Sequence, residues 1–212
     1  RAIGAEVILT PTPYGMRGAN TRADAISRET SGAVRLNPFD NPAAVRAHHV
    51  TAEEIWNATQ GTLSAVVVPV ATGATVTGIG QRLRELSAST VQIMAVQPAS
   101  SPVLTGGVSG SHRLLGMGAP FPPTHFNPSV VDEIISISDN ECHDTLIRLY
   151  RTEGITTGPA GGAALAAALR LATRPQLARG HLVVLFPDSM ERYTELRFWE
   201  TFTFVMPTLP EE

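Results

Sequence analysis

Short apolar runs of strand length alternate along this chain with stretches whose apolar residues recur every three or four positions. Leu63 to Val70 is almost unbroken apolar sequence and predicts a strand buried on both faces. It passes through Ala71-Thr72-Gly73 into a predicted helix from Ala74 to Leu86, and Val91 to Val96 predicts the next strand. Before these, Glu6 to Thr10 reads as a strand and Met16 to Arg28 as a helix, spaced through Ala19, Ala23 and Ile26. A second short run, Ala33 to Leu36, precedes a Pro-rich turn, and Thr51-Ala-Glu-Glu has the form of a capping box opening a helix with Ile55 and Trp56 that ends at Gly61. Gly, Pro and Ser dominate residues 97 to 128, which predicts irregular structure. Ile134 to Ile137 then reads as a short strand. A capping box at Ser138 to Glu141 opens a helix running to Thr152 and stopped by Gly154. Pro159 marks a helix start, Ala163 to Ala172 is an Ala- and Leu-rich helix, and His181 to Phe186 is a last buried strand closed by Pro187.

Strands alternating with helices predict an α/β fold, a mainly parallel sheet with right-handed crossovers and helices on both faces. Ligands of such sheets bind beyond the carboxyl ends of strands, which directs attention to the turns after Val70 and Phe186. With 43% hydrophobic and 17% charged residues in 212, the chain can bury a substantial core. A formal charge of −3 gives no electrostatic reason to expect nucleic acid or an anionic membrane as partner. No apolar run approaches membrane-spanning length, and the opening residues lack a signal peptide's apolar stretch. The single cysteine, Cys142, fits a reducing compartment, so a cytoplasmic location is expected. One compositional fact changes the picture more: all 16 basic residues are arginines, so no side-chain amine here can condense with an aldehyde.

The turn Pro69-Val-Ala-Thr-Gly-Ala-Thr-Val-Thr-Gly78 carries small residues from a strand into a helix, where free backbone N–H groups and the helix dipole favour an anion such as phosphate. On the residues alone, Thr72 or Thr75 serving only as a helix cap explains the pattern equally well. Asp139, Glu141, Cys142, His143 and Asp144 are contiguous on a helix and point in different directions, which argues against a metal site. His48 and His49 read as solvated residues near a helix end, and Cys142 as a small packed residue. The aromatic tail from Arg197, with Phe198, Trp199, Phe202 and Phe204, is expected to cover a core or a subunit interface.

Ala71-Thr-Gly-Ala-Thr-Val-Thr-Gly78 resembles the Gly-Thr-Gly-Gly-Thr-Leu-Thr-Gly phosphate cup of the cysteine synthase and cystathionine β-synthase family. Other segments are similar to that family in the same order: Ile3-Gly-Ala-Glu-Val-Ile-Leu-Thr with Gly15-Met-Arg-Gly-Ala, Phe39-Asp-Asn-Pro42, Glu54-Ile-Trp56, Gly116-Met-Gly-Ala-Pro-Phe121, Glu153-Gly-Ile-Thr-Thr-Gly158 and Pro187-Asp-Ser-Met-Glu-Arg-Tyr193. The resemblance implies a tryptophan synthase β-subunit-like arrangement, fold type II of the enzymes that use pyridoxal 5'-phosphate. It further implies a remnant of the smaller amino-terminal domain in residues 1–36 and the larger cofactor-binding domain in 37–212.

By the same resemblance Ala71, Thr72, Gly73, Ala74 and Thr75 would hold the cofactor phosphate, Gly116 would let the backbone approach substrate, and Ser189 would face the pyridine nitrogen. The implied reaction replaces the leaving group of an activated serine, such as O-acetylserine, with sulfide or another nucleophile. The lysine that moves its protons has no counterpart here, so no catalytic residue is assigned to this chain. The amino-terminal portion is expected to be a piece lost by cleavage, a segment outside these residues, or another subunit, so the expected assembly is a homodimer, the family's usual form, or a complex with a complementing amino-terminal polypeptide. The alternative is a catalytically inactive partner that keeps the fold. Family glycines stand as Ala71 and Ala74, where an added methyl is expected to crowd a phosphate. An amide is lost at Pro38, and hydroxyls are lost in Gly158-Pro-Ala-Gly-Gly162.

Overall fold

A computed structural model describes residues 3–177 and 179–196. Four parallel strands form its sheet: β1 (Leu63–Pro69), β2 (Gln92–Pro98), β3 (Glu133–Ile137) and β4 (His181–Val184), in the order β3-β2-β1-β4. Val66 pairs with Ile93 on one side and with Val183 on the other, so β1 is central. Five helices accompany the sheet: α1 (Gly15–Glu29), α2 (Pro42–Ala58), α3 (Ala74–Leu86), α4 (Asp139–Glu153) and α5 (Pro159–Leu171).

The apolar run of β1 divides by parity between two cores, as a strand's period of two requires. Val66 and Val68 join Ile93 and Ala95 of β2, Ile79 and Leu83 of α3 and Ala52 of α2. Ala65 and Val67 join Met94, Val96 and Ile137 with Cys142 and Leu146 of α4 and the alanines of α5. Helices therefore cover both faces. Glycine sets how closely they pack: a Cβ on Gly78 of α3 would lie 2.2 Å from the carbonyl oxygen of Val45 in α2.

The crossover through α3 runs from β1 toward one edge, whereas β4 returns to the other side of β1 after α4 and α5. The connections thus reverse direction between β1 and β4, and the carboxyl ends of those two strands flank a crevice.

Several sequence expectations are corrected. Residues 6–10 and 33–36 form no strand: they are largely exposed, with no ladder among the described residues to satisfy their backbone. Thr51 opens no helix, because α2 begins earlier, at Pro42, where the Asn41 side chain accepts the N–H of Ala43 at 3.0 Å. His48 and His49 consequently sit inside α2. The box at Ser138 is half made. Its hydroxyl accepts the N–H of Glu141 at 3.3 Å, but the Glu141 carboxylate turns to Arg170. The aromatic tail from Arg197 lies outside the described residues.

Candidate functional site

β1 ends at Pro69; the N–H of the next residue, Val70, is held by the Val96 carbonyl at 3.1 Å, and the chain then turns through Ala71, Thr72 and Gly73 into α3. Gly73 has φ +82°, and a Cβ there would lie 2.5 Å from the backbone nitrogen of Phe126, so both conformation and space demand glycine. Thr77 secures that close approach: its hydroxyl donates to the His125 carbonyl at 2.7 Å and accepts the Asn127 N–H at 3.0 Å. Ala71 and Ala74 lie outside the positive-φ region, so their backbone is unstrained by a side chain. The expected penalty at those two positions reduces to the volume of a methyl group.

A recess of about 80 Å³ opens at the amino end of α3, lined by Ala71, Thr72, Gly73, Thr75, Gly116 and Pro187. It adjoins a cleft of about 340 Å³ lined mostly by apolar groups, among them Phe39, Met117, Ala119 and Pro120, with Ala71, Thr72 and Gly116 common to both. A narrow polar end at a helix N-terminus and an apolar body beside it suit a flat ring bearing a phosphate. The first-turn N–H groups of α3 have no carbonyl of their own helix to meet. The Thr72 hydroxyl accepts the Ala74 N–H at 3.3 Å, which leaves its proton free to point at an anion. The cap reading and the anion reading are therefore compatible.

Thr75 reveals a residue that sequence reasoning missed. Its hydroxyl lies 3.0 Å from Nε2 of His48, whose Nδ1 lies 3.3 Å from the hydroxyl of Thr51. Partial burial holds His48 below the usual histidine pKa, so the ring is neutral at physiological pH. A neutral ring carrying its proton on Nε2 donates to Thr75 and accepts from Thr51, which frees the Thr75 hydroxyl to donate to an anion. The spacing of His48 and Thr51 on one helical face was the available signal.

At the far side of the recess, Gly116 has φ +85°. A Cβ there would meet the Tyr193 hydroxyl at 2.8 Å, Oδ2 of Asp188 at 3.2 Å and the Ala160 Cβ at 3.5 Å. The loop bearing Gly116 is tied to β1 by the Gly118 N–H, which donates to the Val70 carbonyl at 2.9 Å. Asp188 accepts from the Tyr193 hydroxyl and from the Gly158 N–H, the latter at 3.1 Å. Burial, and then the Asp188 carboxylate, push the Tyr193 phenol upward, so it stays a donor.

Thr72, Gly73, Thr75 and Gly116 are thus brought together, with Ala71 at the rim and Ala74 packed in the first turn of α3. Ser189, expected at the pyridine nitrogen rather than at the phosphate, donates its hydroxyl to Glu191, while Tyr193 and Asp188 lie near Gly116. Cys142 is buried, donates to the Pro159 carbonyl, and has its pKa pushed up to about 12, mainly by burial, so it is no thiolate nucleophile. Among the described residues, no group of three His, Cys, Asp or Glu side chains could hold a metal.

Comparison with known proteins decides the family. Residues 1–188 match the family model described as pyridoxal-phosphate dependent enzyme. The chain belongs to the pyridoxal-phosphate dependent enzyme family. A probable cysteine synthase of Bacillus subtilis is 40% identical over 204 residues, covering 94% of this chain and 65% of that protein. Cysteine synthase of Buchnera aphidicola from Acyrthosiphon pisum is 38% identical over 207 residues, covering 92% of this chain and 66% of that protein. Among solved structures, cysteine synthase of Entamoeba histolytica superposes with a TM-score of 0.88 at 36% identity over 94% of this chain and 59% of that one. An O-ureido-L-serine synthase does so with a TM-score of 0.90 at 31% identity over 97% and 65%. The chain thus spans just under two thirds of the length of the relatives it matches. The recess at the amino end of α3 and the apolar cleft beside it are of a shape that a phosphorylated ring fits.

Proposed function

We propose that this chain supplies the phosphate-holding side of a β-replacement enzyme. Its substrate would be an activated serine such as O-acetylserine, with sulfide or another nucleophile as second reactant. The observation that carries the reading is the recess at the amino end of α3, where Thr72, Gly73 and Thr75 surround space fit for a phosphate. When bound, pyridoxal 5'-phosphate supplies an electron sink for breaking a bond at the amino acid. This chain's own residues bind and orient. Thr72 and Thr75 would donate to the phosphate, and His48 would fix the Thr75 hydroxyl. Gly116 would leave room at the reacting face, while Phe39, Met117 and Pro120 would exclude water from the cleft.

The proton-transferring amine would come from outside these 212 residues, which hold no lysine. A homodimer of the completed unit is the assembly this reading expects, with a small amino acid as ligand. The single cysteine supports a reducing, cytoplasmic setting. Mixing this chain with the amino-terminal part of a cysteine synthase relative, pyridoxal 5'-phosphate, O-acetylserine and sulfide should yield cysteine only when both polypeptides are present. Borohydride reduction should leave the cofactor's mass on the added polypeptide. An assembled pair without turnover would favour the catalytically inactive reading.

A further inference from the structure

One wall of the apolar cleft is the run from Gly116 to Pro120, every residue of which lines it. Leu114 and Met117 anchor that run in the core, while Gly116 and Gly118 take φ of +85° and +72°. Both backbone groups of Gly118 are engaged. Its N–H donates to the Val70 carbonyl at 2.9 Å, and its carbonyl lies 3.2 Å from Nε2 of His112. Glycine is what admits the imidazole this close, since a Cβ on Gly118 would lie 2.7 Å from the same nitrogen. Nδ1 of His112 is buried and has no hydrogen-bond partner among the described residues, so the ring's polar contact there is with Gly118. The segment that carries the imidazole is itself held, because the Arg113 N–H donates to the Asp139 carboxylate at 2.9 Å.

We propose that His112 is a positioning residue for the ring end of the site, resting on the function proposed above: by donating from Nε2 to the Gly118 carbonyl it fixes the wall against which a phosphorylated ring lies. His112 stands behind that wall, outside the lining of the cleft, and so acts through Gly118. A backbone carbonyl in an apolar surround needs a donor, and glycines, being free in φ, let the peptide turn to find another if this one is removed. Of the run from Gly116 to Pro120, Gly116 alone also lines the phosphate recess. The clamp therefore governs how the ring is held and leaves the phosphate end to Thr72 and Thr75.

The test titrates the 212-residue chain with two probes, pyridoxal 5'-phosphate and inorganic phosphate. His112→Asn puts its amide nitrogen where Nδ1 stands, and the loss of one neutral hydrogen bond should weaken binding of pyridoxal 5'-phosphate about fivefold. Its affinity for inorganic phosphate should match the parent's, which also shows the variant to be folded. His112→Gln, whose amide nitrogen reaches about as far as Nε2, should keep most of the parent's affinity for both probes, whereas Thr75→Val should weaken both. In ligand-free protein, amide hydrogen exchange at Gly118 should quicken in His112→Asn and stay at the parent's rate in His112→Gln. Equal loss of both probes in His112→Asn, undiminished binding of pyridoxal 5'-phosphate by it, or a His112→Gln as impaired as His112→Asn would each overturn the inference. Exchange needs no ligand, so a parent that takes up neither probe sinks the functional reading, while exchange at Gly118 still decides whether the clamp exists.

Discussion

Thr72 and Thr75 were legible as residues because a strand, a run of small residues and a helix start are local features that sequence displays. The orientation of Thr75 was not, since it depends on His48, 27 positions earlier in the chain. A hydrogen bond to a charged acceptor contributes about 1.5–3 kcal/mol. Thr72→Val and Thr75→Val should therefore each weaken binding of pyridoxal 5'-phosphate about tenfold or more, read by calorimetric titration. His48→Ala should cost a few-fold, and it should add almost nothing in a Thr75→Val background, because the histidine acts through that hydroxyl. Additive losses would separate the two residues.

His48 also carries a signature in stability. Partial burial holds its folded pKa below the ordinary histidine value of 6.5, so the unfolded chain takes up the proton more readily. The stabilising difference is complete above pH 6.5 and is lost as pH falls from there through the folded value. Urea denaturation of the parent and of His48→Gln should show this acid-side loss in the parent and its absence in the variant. Ser189, expected to face the pyridine nitrogen, has its hydroxyl donating to Glu191, while Asp188 is the side chain near Gly116.

At the scale of elements, β1, α3, β2, β3, α4 and β4 stand within a few residues of their predicted spans, because continuous apolar runs and Gly or Pro stops define them. The errors fall where a local signal lost to a longer-range one. Thr51-Ala-Glu-Glu has the form of a cap, yet apolar packing through Ala52, Ile55 and Trp56 carries one helix through it from Pro42. Residues 6–10 have strand composition but, among the described residues, no strand to pair with. The close contact of α3 with α2 through Gly78 predicts that Gly78→Ala destabilises the chain by about 1–3 kcal/mol, since the backbone of α2 must move to admit a methyl. Chemical denaturation would read this, and an unchanged midpoint would show that α2 is free to shift.

For the whole molecule, the sheet order β3-β2-β1-β4 puts the reversal between β1 and β4, and the recess lies at that point. The parallel class was readable from alternation, but the order was not, because pairing is non-local. The proposed site is correspondingly divided: the recess lies within these residues, whereas they hold 16 arginines and no lysine to supply an amine. That division makes the recess the claim to test first. A 31P titration of the purified chain with pyridoxal 5'-phosphate should show a bound phosphate signal whose position near neutral pH no longer follows that of free cofactor. The Thr72→Val/Thr75→Val double variant should lose that signal. A phosphate resonance that stays free, or one bound equally by parent and double variant, would contradict the account.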